Sequence, residues 1–326
     1  MENEGMNICL SSDDKYAQHL GVTLKSLILQ HNDSDLHIHI LDSGISAENK
    51  QKILTLANEK TEIVFAPINE TVFNNYELDK NSYITAAMFN RFVIPELLAD
   101  KERVLYLDVD LVVLKNLRQF YFADMSGKAI GMIKDYNYKE CEKRLGVENY
   151  YNSGVMLFDI KKCREVGLTA RLMQALAENK QKLFCPDQDI INMVCQDVIK
   201  EFDFIYNAQA HPLQSANIKL INDEINQIAI LHYTTALKPW GVHKHPLEKY
   251  YWQVLVNTSW QDAITKIKKE RFYRMLWAWL YSYSRQDDIK SWRLMGVPVF
   301  AKKKIGDIRK FYVFGVMLLK IRKRKK

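Results

Sequence analysis

Apolar positions in this chain come first as short extended runs separated by helical spacings. Met6-Asn-Ile-Cys-Leu-Ser11 reads as a buried strand, and Leu20, Leu24, Leu27 and Ile28 then recur at helical spacing. Leu36-His-Ile-His-Ile-Leu41 alternates as a strand does, Ser46 to Asn58 reads as a capped helix, and Glu62-Ile-Val-Phe-Ala66 is a third strand. This β-α-β-α-β order predicts a right-handed, mostly parallel sheet with helices on both faces. Such sheets bind ligands at the carboxyl ends of their strands, which makes Asp13 and Tyr16 candidates for touching a nucleotide. Ser12 or Asp13 would serve equally well as a helix cap. No G-x-G-x-x-G follows the first strand, so a dinucleotide-type phosphate loop is not supported. His37 and His39 share a strand face, as a metal pair or as ordinary polar positions.

The rest of the chain is organised around Arg103-Val-Leu-Tyr-Leu-Asp-Val-Asp-Leu-Val-Val-Leu114. An apolar strand runs into Asp108-Val109-Asp110, where it should end, and a second apolar run follows. Strand alternation puts Asp108 and Asp110 on one side. Two ionised carboxylates that close repel each other unless positive charge lies between them, a need that a divalent cation with oxygen ligands meets. A charged strand end in water is the plain alternative. Arg91 lies in an apolar neighbourhood and calls for an anionic partner, either a ligand or one of the strand-end aspartates. Lys128 to Ile133 is another strand, ending at Lys134-Asp135. Asn152-Ser153-Gly154 precedes a further apolar strand, as a site for close backbone approach or as an ordinary turn. Thr169 to Lys180 reads as helical, and Pro186-Asp187 opens a helix whose Asp187-Gln188-Asp189 exceeds what capping needs. Ile228 to Thr235 is a strand carrying His232, followed by Lys238-Pro-Trp240.

Composition adds a division. Of 326 residues with net charge +7, the stretch 261–326 holds 19 Lys and Arg against 5 Asp and Glu, so the main body is acidic and the tail strongly basic. That asymmetry predicts an anionic partner for the tail. Five cysteines without a C-x-x-C suggest reduced, cytosolic thiols. The acidic start lacks a secretion signal, and no apolar run of membrane-spanning length occurs. The tail mixes Arg271-Phe-Tyr-Arg-Met-Leu-Trp-Ala-Trp-Leu-Tyr281, Trp292 and Phe311 to Leu319 with a basic end. This predicts helices lying on an anionic membrane surface, or packed on the body as the alternative. No recognised motif supports nucleic-acid binding.

Together, Ser11-Ser-Asp-Asp-Lys-Tyr16, Arg91, Leu105-Tyr-Leu-Asp-Val-Asp110, Tyr151-Asn-Ser-Gly-Val155, Asp187-Gln-Asp189 and His232-Tyr-Thr-Thr-Ala-Leu-Lys-Pro-Trp240 resemble glycosyltransferase family 8. That family includes bacterial lipopolysaccharide galactosyl- and glucosyltransferases and glycogenin. The resemblance implies an α/β, Rossmann-like A-type glycosyltransferase fold with a mostly parallel mixed sheet over residues 1–260, and a helical basic appendage over 261–326. It implies retaining transfer of glucose or galactose from a UDP-hexose to a hydroxyl of a cell-surface glycan precursor. A lipid-linked acceptor would account for an enzyme placed peripherally on the inner face of the cytoplasmic membrane.

Residue by residue, the resemblance gives Asp108, Asp110 and His232 to Mn²⁺, with Mg²⁺ as the alternative ion. Lys238 would reach the diphosphate, and Asp13 and Tyr16 the uracil and ribose, with Ser11 and Val109 in the same donor-binding set. Arg91, Asn152, Asp187 and Gln188 would contact the donor sugar, with Asp135 lining the pocket. Gln188 would lie near the anomeric carbon, opposite the leaving group. An amide is a poor nucleophile, so Asp187 or Asp189 would serve in a double displacement only by moving, and front-face attack is favoured. Thr234-Thr235 stands where the family often shows Gly, and Asn81-Ser82-Tyr83 also departs from its pattern. The competing readings are a UDP-sugar-binding protein without transfer activity, a basic membrane scaffold, and a self-glucosylating, glycogenin-like initiator.

Overall fold

The computed structural model describes residues 5–68, 86–179, 183–286, 289–294, 297–305, 307–314 and 316–322. The chain divides into two units. One is Met1–Pro239 with Lys244–Gln261, and the other is Trp240–His243 with Asp262–Lys326.

The strands of the first unit are β1 (Met6–Ser12), β2 (Leu36–Asp42), β3 (Thr61–Pro67), β4 (Arg103–Leu107) and β5 (Leu111–Val113). They continue with β6 (Ile130–Lys134), β7 (Tyr151–Asp159), β8 (Ile199–Phe202), β9 (Ala208–Gln209) and β10 (Ile230–His232). Seven of them form one sheet in the order β3-β2-β1-β4-β7-β6-β8. β3, β2, β1 and β4 run parallel, and β7 lies antiparallel between β4 and β6. This is the mixed, mostly parallel sheet that the resemblance implies. Leu105 and Leu107 pack on one face with Leu20, Leu24 and Leu27 of helix Ala17–Leu29. Val104 and Tyr106 pack on the other face with Phe92, Leu172 and Ile190. Burial on both faces explains why β4 reads as an unbroken apolar run.

The chain order reverses between β1 and β4, so a crevice opens at their carboxyl ends. There the chain leaves the large sheet. Asp108–Asp110 form a bend, and β5 joins a second, three-stranded sheet in the order β5-β10-β9. β10 pairs antiparallel with β5, bringing His232 opposite Leu111.

Two expectations are corrected here. Asn152–Gly154 do not precede their strand but lie inside β7, where the Asp108 N–H donates to the Gly154 carbonyl at 2.8 Å. The tail is not wholly helical. Helix Ala263–Leu280 is present, but a five-stranded antiparallel meander follows it: β11 (Tyr281–Gln286), β12 (Ile289–Leu294), β13 (Val297–Ile305), β14 (Ile308–Val313) and β15 (Val316–Arg322). The helix draws on Ala, Lys, Arg, Leu and Met, whereas the later segments are dense in Val, Ile, Tyr and Phe, which suit a pleated surface. The apolar run from Phe311 breaks at Phe314, whose φ of +47° makes the turn between β14 and β15. The departure at Asn81-Ser82-Tyr83 lies outside the described residues.

Candidate active site

The bend at Asp108–Asp110 and the end of β10 bring three ligand-bearing groups together. One carboxylate oxygen each of Asp108 and Asp110, with one ring nitrogen of His232, lie within 4.8 Å of one another. His232 Nε2 is 2.9 Å from Asp110 Oδ1 and 3.9 Å from Asp108 Oδ2. Among the described residues this is the one group of three or more His, Cys, Asp or Glu arranged for a metal ion. His37 instead pairs with Glu62 at 3.0 Å, so the histidine pair on β2 forms no such site. Carboxylate oxygens and one imidazole nitrogen form a donor set that suits a divalent cation of the manganese or magnesium kind.

Positive side chains brace these carboxylates. Arg91, 7% exposed on the 3-10 helix Ala86–Val93, donates from Nη2 to Asp108 Oδ1 at 2.9 Å and from Nη1 to the Ser153 carbonyl at 2.7 Å. Its Nη1 also lies 3.1 Å from Asp187, and its guanidinium stacks over the Tyr106 ring. The salt bridge offered for Arg91 as an alternative is thus present, within the cleft itself. Burial works against the Arg91 charge, but Asp108, Tyr106 and Asp187 outweigh it and hold the guanidinium above its ordinary value. Lys238 Nζ donates to Asp110 Oδ2 at 2.6 Å. Burial also opposes the charge on Asp110, yet Lys238 and His232 hold it far below the ordinary carboxylate range. Asp187 shows the opposite balance, because burial raises it more than Arg91 lowers it.

A cleft of about 430 Å³ opens on these groups, lined by Tyr16, Val109, Asn152, Gln188, Phe184 and Thr234 among others. A larger hollow of about 610 Å³, lined by Gly5, His37, Glu62 and Arg103, lies at the amino ends of β1 to β4. The smaller cleft is the candidate, because carboxyl-end crevices carry the ligand in such sheets and the convergent charges are there. Ser11, Asp13, Asp135, Asp189 and Lys238 are not among the residues lining it. The Asp13 carboxylate accepts from the Tyr16 N–H at 3.0 Å, which is a capping contact, while Tyr16 itself lines the cleft. Ser11 Oγ accepts from Asn90.

Gln188 sits in the first turn of helix Pro186–Val194, buried and oriented from every side. Its Oε1 accepts from Asn152 Nδ2 and the Ser153 N–H, both at 3.1 Å, and its Nε2 donates to Asp135 Oδ2 at 3.0 Å. Asp135 therefore aims Gln188. Asp189 is wholly buried and fully engaged. Arg144 grips it with both arms at 2.7 and 2.9 Å, Tyr150 donates at 2.6 Å and the Phe184 N–H at 2.9 Å. Burial opposes its charge, but Arg144, Tyr150 and Phe184 hold the carboxylate below its ordinary 3.8. Asp189→Asn should lower stability by about 1.5–3 kcal/mol, since Arg144 loses its anionic partner. Urea melts of the wild-type and variant proteins check the loss. The wild-type contribution is present at neutral pH and disappears as pH falls below the ordinary carboxylate value.

Sequence reasoning missed Ser153, Asn207, Tyr106, Arg144 and Tyr150. Ser153 ties Arg91, Asp187 and Gln188 together, and Tyr106 donates to Asp108 at 2.9 Å. Tyr106 and Ser153 lay inside quoted motifs, but nothing in their spacing marks what their side chains touch.

The family model described as Glycosyl transferase family 8 matches residues 7–243. The chain belongs to glycosyltransferase family 8. This family 8 chain is 29% identical over 279 residues to the general stress protein A of Bacillus subtilis, covering 79% of this chain and 96% of that protein. It is 26% identical to the lipopolysaccharide 1,2-glucosyltransferase of Escherichia coli, covering 80% of each. Its fold resembles the galactosyltransferase LgtC, solved in complex with donor and acceptor sugar analogues, with a TM-score of 0.67 and 23% identity over 78% of this chain and 96% of that one. The part of the second unit from Asp262 on lies beyond the family match.

Proposed function

We propose that this glycosyltransferase moves glucose or galactose, with retention, from a UDP-hexose to a hydroxyl of a cell-surface glycan precursor. The observation that carries this reading is the convergence of Asp108, Asp110 and His232 at the carboxyl-end crevice, beside the buried, oriented Gln188. Asp108, Asp110 and His232 would hold Mn²⁺ or Mg²⁺, which when bound neutralises charge on the leaving diphosphate. Lys238, already on Asp110, is within reach of the same charge. Arg91 and Asn152 line the cleft and would contact the donor sugar.

Front-face chemistry fits the side chains better than double displacement. Asp189 is saturated by Arg144, Tyr150 and Phe184, and Asp187 is paired with Arg91, so neither is a free nucleophile. The bond from the anomeric carbon to the UDP oxygen breaks as the acceptor oxygen bonds on the same face. The acceptor proton passes to the leaving phosphate oxygen. Gln188 stabilises positive charge at the sugar from the opposite side.

UDP release from a panel of UDP-sugars, with Mn²⁺ and with EDTA, tests the reading. Slow hydrolysis of UDP-glucose or UDP-galactose, abolished by EDTA, is expected. Binding without turnover on any acceptor extract would favour the non-transferring reading, and hexose appearing on the chain's own tyrosines would favour the initiator.

We further propose a peripheral location on the inner face of the cytoplasmic membrane, beside a lipid-linked acceptor. The second unit exposes Phe272, Tyr273, Trp277 and Leu318 among its basic residues, and no helix among the described residues is long and apolar enough to cross a membrane. The full chain should float with phosphatidylglycerol vesicles at low salt and not with neutral ones; equal recovery on both would sink the idea.

A further inference from the structure

We propose that Asn207 is the positioning residue of the cation site, holding the His232 ring so that its Nε2 lone pair faces Asp108 and Asp110. The inference rests on the cation reading above and concerns a side chain that does not line the cleft. It follows from a chain of amides whose orientations are all determined by their neighbours. The Gly154 N–H can only donate, and it meets one terminal atom of Asn152 at 3.0 Å, so that atom is Oδ1. The other terminus of Asn152 is then the amide NH₂, which donates to Gln188 Oε1 at 3.1 Å and Asp135 Oδ2 at 3.3 Å. Asn152 Oδ1 also receives a second donor, at 2.9 Å, which must be Asn207 Nδ2. What Asn207 turns toward His232 Nδ1, at 2.9 Å, is therefore Oδ1, an acceptor. An acceptor there requires Nδ1 to carry a hydrogen. In the neutral ring, Nε2 is then the nitrogen with the free electron pair.

Backbone topology brings the two residues side by side. Asn207 stands between the 3-10 turn Phe204–Tyr206 and β9, and β9 is the parallel neighbour of β10, with His232 in register with Gln209. The side chain is 1% exposed, so water does not compete for the bond. Gly154 closes the ring's other side, where a Cβ would stand 2.2 Å from His232 Cε1. The ring is thus fixed in plane by packing and in tautomer by Asn207. The same amides continue to Gln188, so the groups assigned to the diphosphate end and to the sugar end of the cleft share one support.

The test uses the full chain labelled with ¹⁵N-histidine. With Mg²⁺ and UDP, two-bond nitrogen–proton correlations should show His232 protonated at Nδ1, assigned by its loss in His232→Gln. Mn²⁺ affinity in the presence of UDP, read by electron paramagnetic resonance, should fall about 10- to 100-fold in Asn207→Leu. Asn207→Asp keeps the acceptor oxygen toward Nδ1 but loses the donor to Asn152 Oδ1, so it should keep the Nδ1–H tautomer and bind Mn²⁺ more tightly than Asn207→Leu does. An Nε2–H tautomer in the wild type, or wild-type Mn²⁺ affinity in a folded Asn207→Leu, overturns the proposal. If Asn207→Leu does not fold, the wild-type spectrum and Asn207→Asp decide. Should wild type itself bind no Mn²⁺ with UDP, the cation reading falls and this one with it; loss confined to the tautomer leaves the cation reading standing.

Discussion

Asp110→Asn should cut turnover by about 10²- to 10³-fold with the fold intact, the scale expected when a leaving group loses one major electrostatic stabiliser. The substitution preserves shape, removes the charge and turns one of the two acceptor oxygens into an NH₂ donor. Asp110 is the point where His232 Nε2, at 2.9 Å, and Lys238 Nζ, at 2.6 Å, both converge. Its backbone carbonyl accepts from the Tyr233 N–H at 3.0 Å, a bond an asparagine keeps, so the small sheet stays joined. A neutral amide leaves Lys238 without its anionic partner and removes one hard oxygen from the proposed cation set. Donor hydrolysis at saturating UDP-sugar, followed across a Mn²⁺ titration, measures the effect. Activity within about three-fold of wild type at all metal concentrations would remove Asp110 from the mechanism.

Gly154→Ala should be nearly as damaging, by adding a single methyl group. An ideal Cβ at this position falls 2.2 Å from His232 Cε1, 2.6 Å from Asp108 Oδ2 and 3.1 Å from Asn152 Oδ1. The strand has little freedom to retreat, because the Gly154 carbonyl accepts from the Asp108 N–H and Val155 is in register with Leu107 of β4. Two groups of the proposed cation set and the amide chain must move instead. A displacement near 1 Å at a reacting site costs about 10²-fold in rate, and overpacking costs about 1–3 kcal/mol of stability. Gly131→Ala is the control. Its Cβ would strike Phe202 at 2.5 Å in the interior, so it should lower stability without altering Mn²⁺ affinity. If both variants lose stability and neither loses Mn²⁺, the close approach at Gly154 is a packing feature only.

Much of the fold could be read from the chain because β1 and β4 are apolar runs of ordinary strand length and β2 alternates apolar and polar positions. Asp108-Val-Asp110 was conspicuous because carboxylates rarely follow so apolar a strand. The three-stranded sheet was harder to see. β9 has two residues and β5 and β10 three each, too few to show any periodicity, although this sheet delivers His232 to Asp110. Asn207 and Ser153 are small polar residues whose importance comes from contacts 55 and 35 positions away, with Asn152 and Gln188. Asp189 looked catalytic by its company in sequence, but its partner Arg144 lies 45 residues earlier on another helix. In the tail, alternating Tyr and Ser after Leu280 competed with a helical reading of the Trp- and Lys-rich segment before it, and the strand-forming residues prevailed beyond that point.

The bend at Asp108–Asp110 has a thermodynamic consequence. Its two aspartates lie between different sheets, Asp108 just after β4 of the large, well-packed one and Asp110 just before β5 of one made of strands too short to persist alone. The smaller sheet is therefore where the body should open locally first, at a free energy well below that of global unfolding. A ligand held across the bend binds only the closed form, so loading to a hundred times its Kd raises the cost of that opening by about 2.7 kcal/mol. On the proposed function, donor binding would thus also fasten a seam, and amide exchange across β5 and β10 would report occupancy of the site without any chemistry taking place.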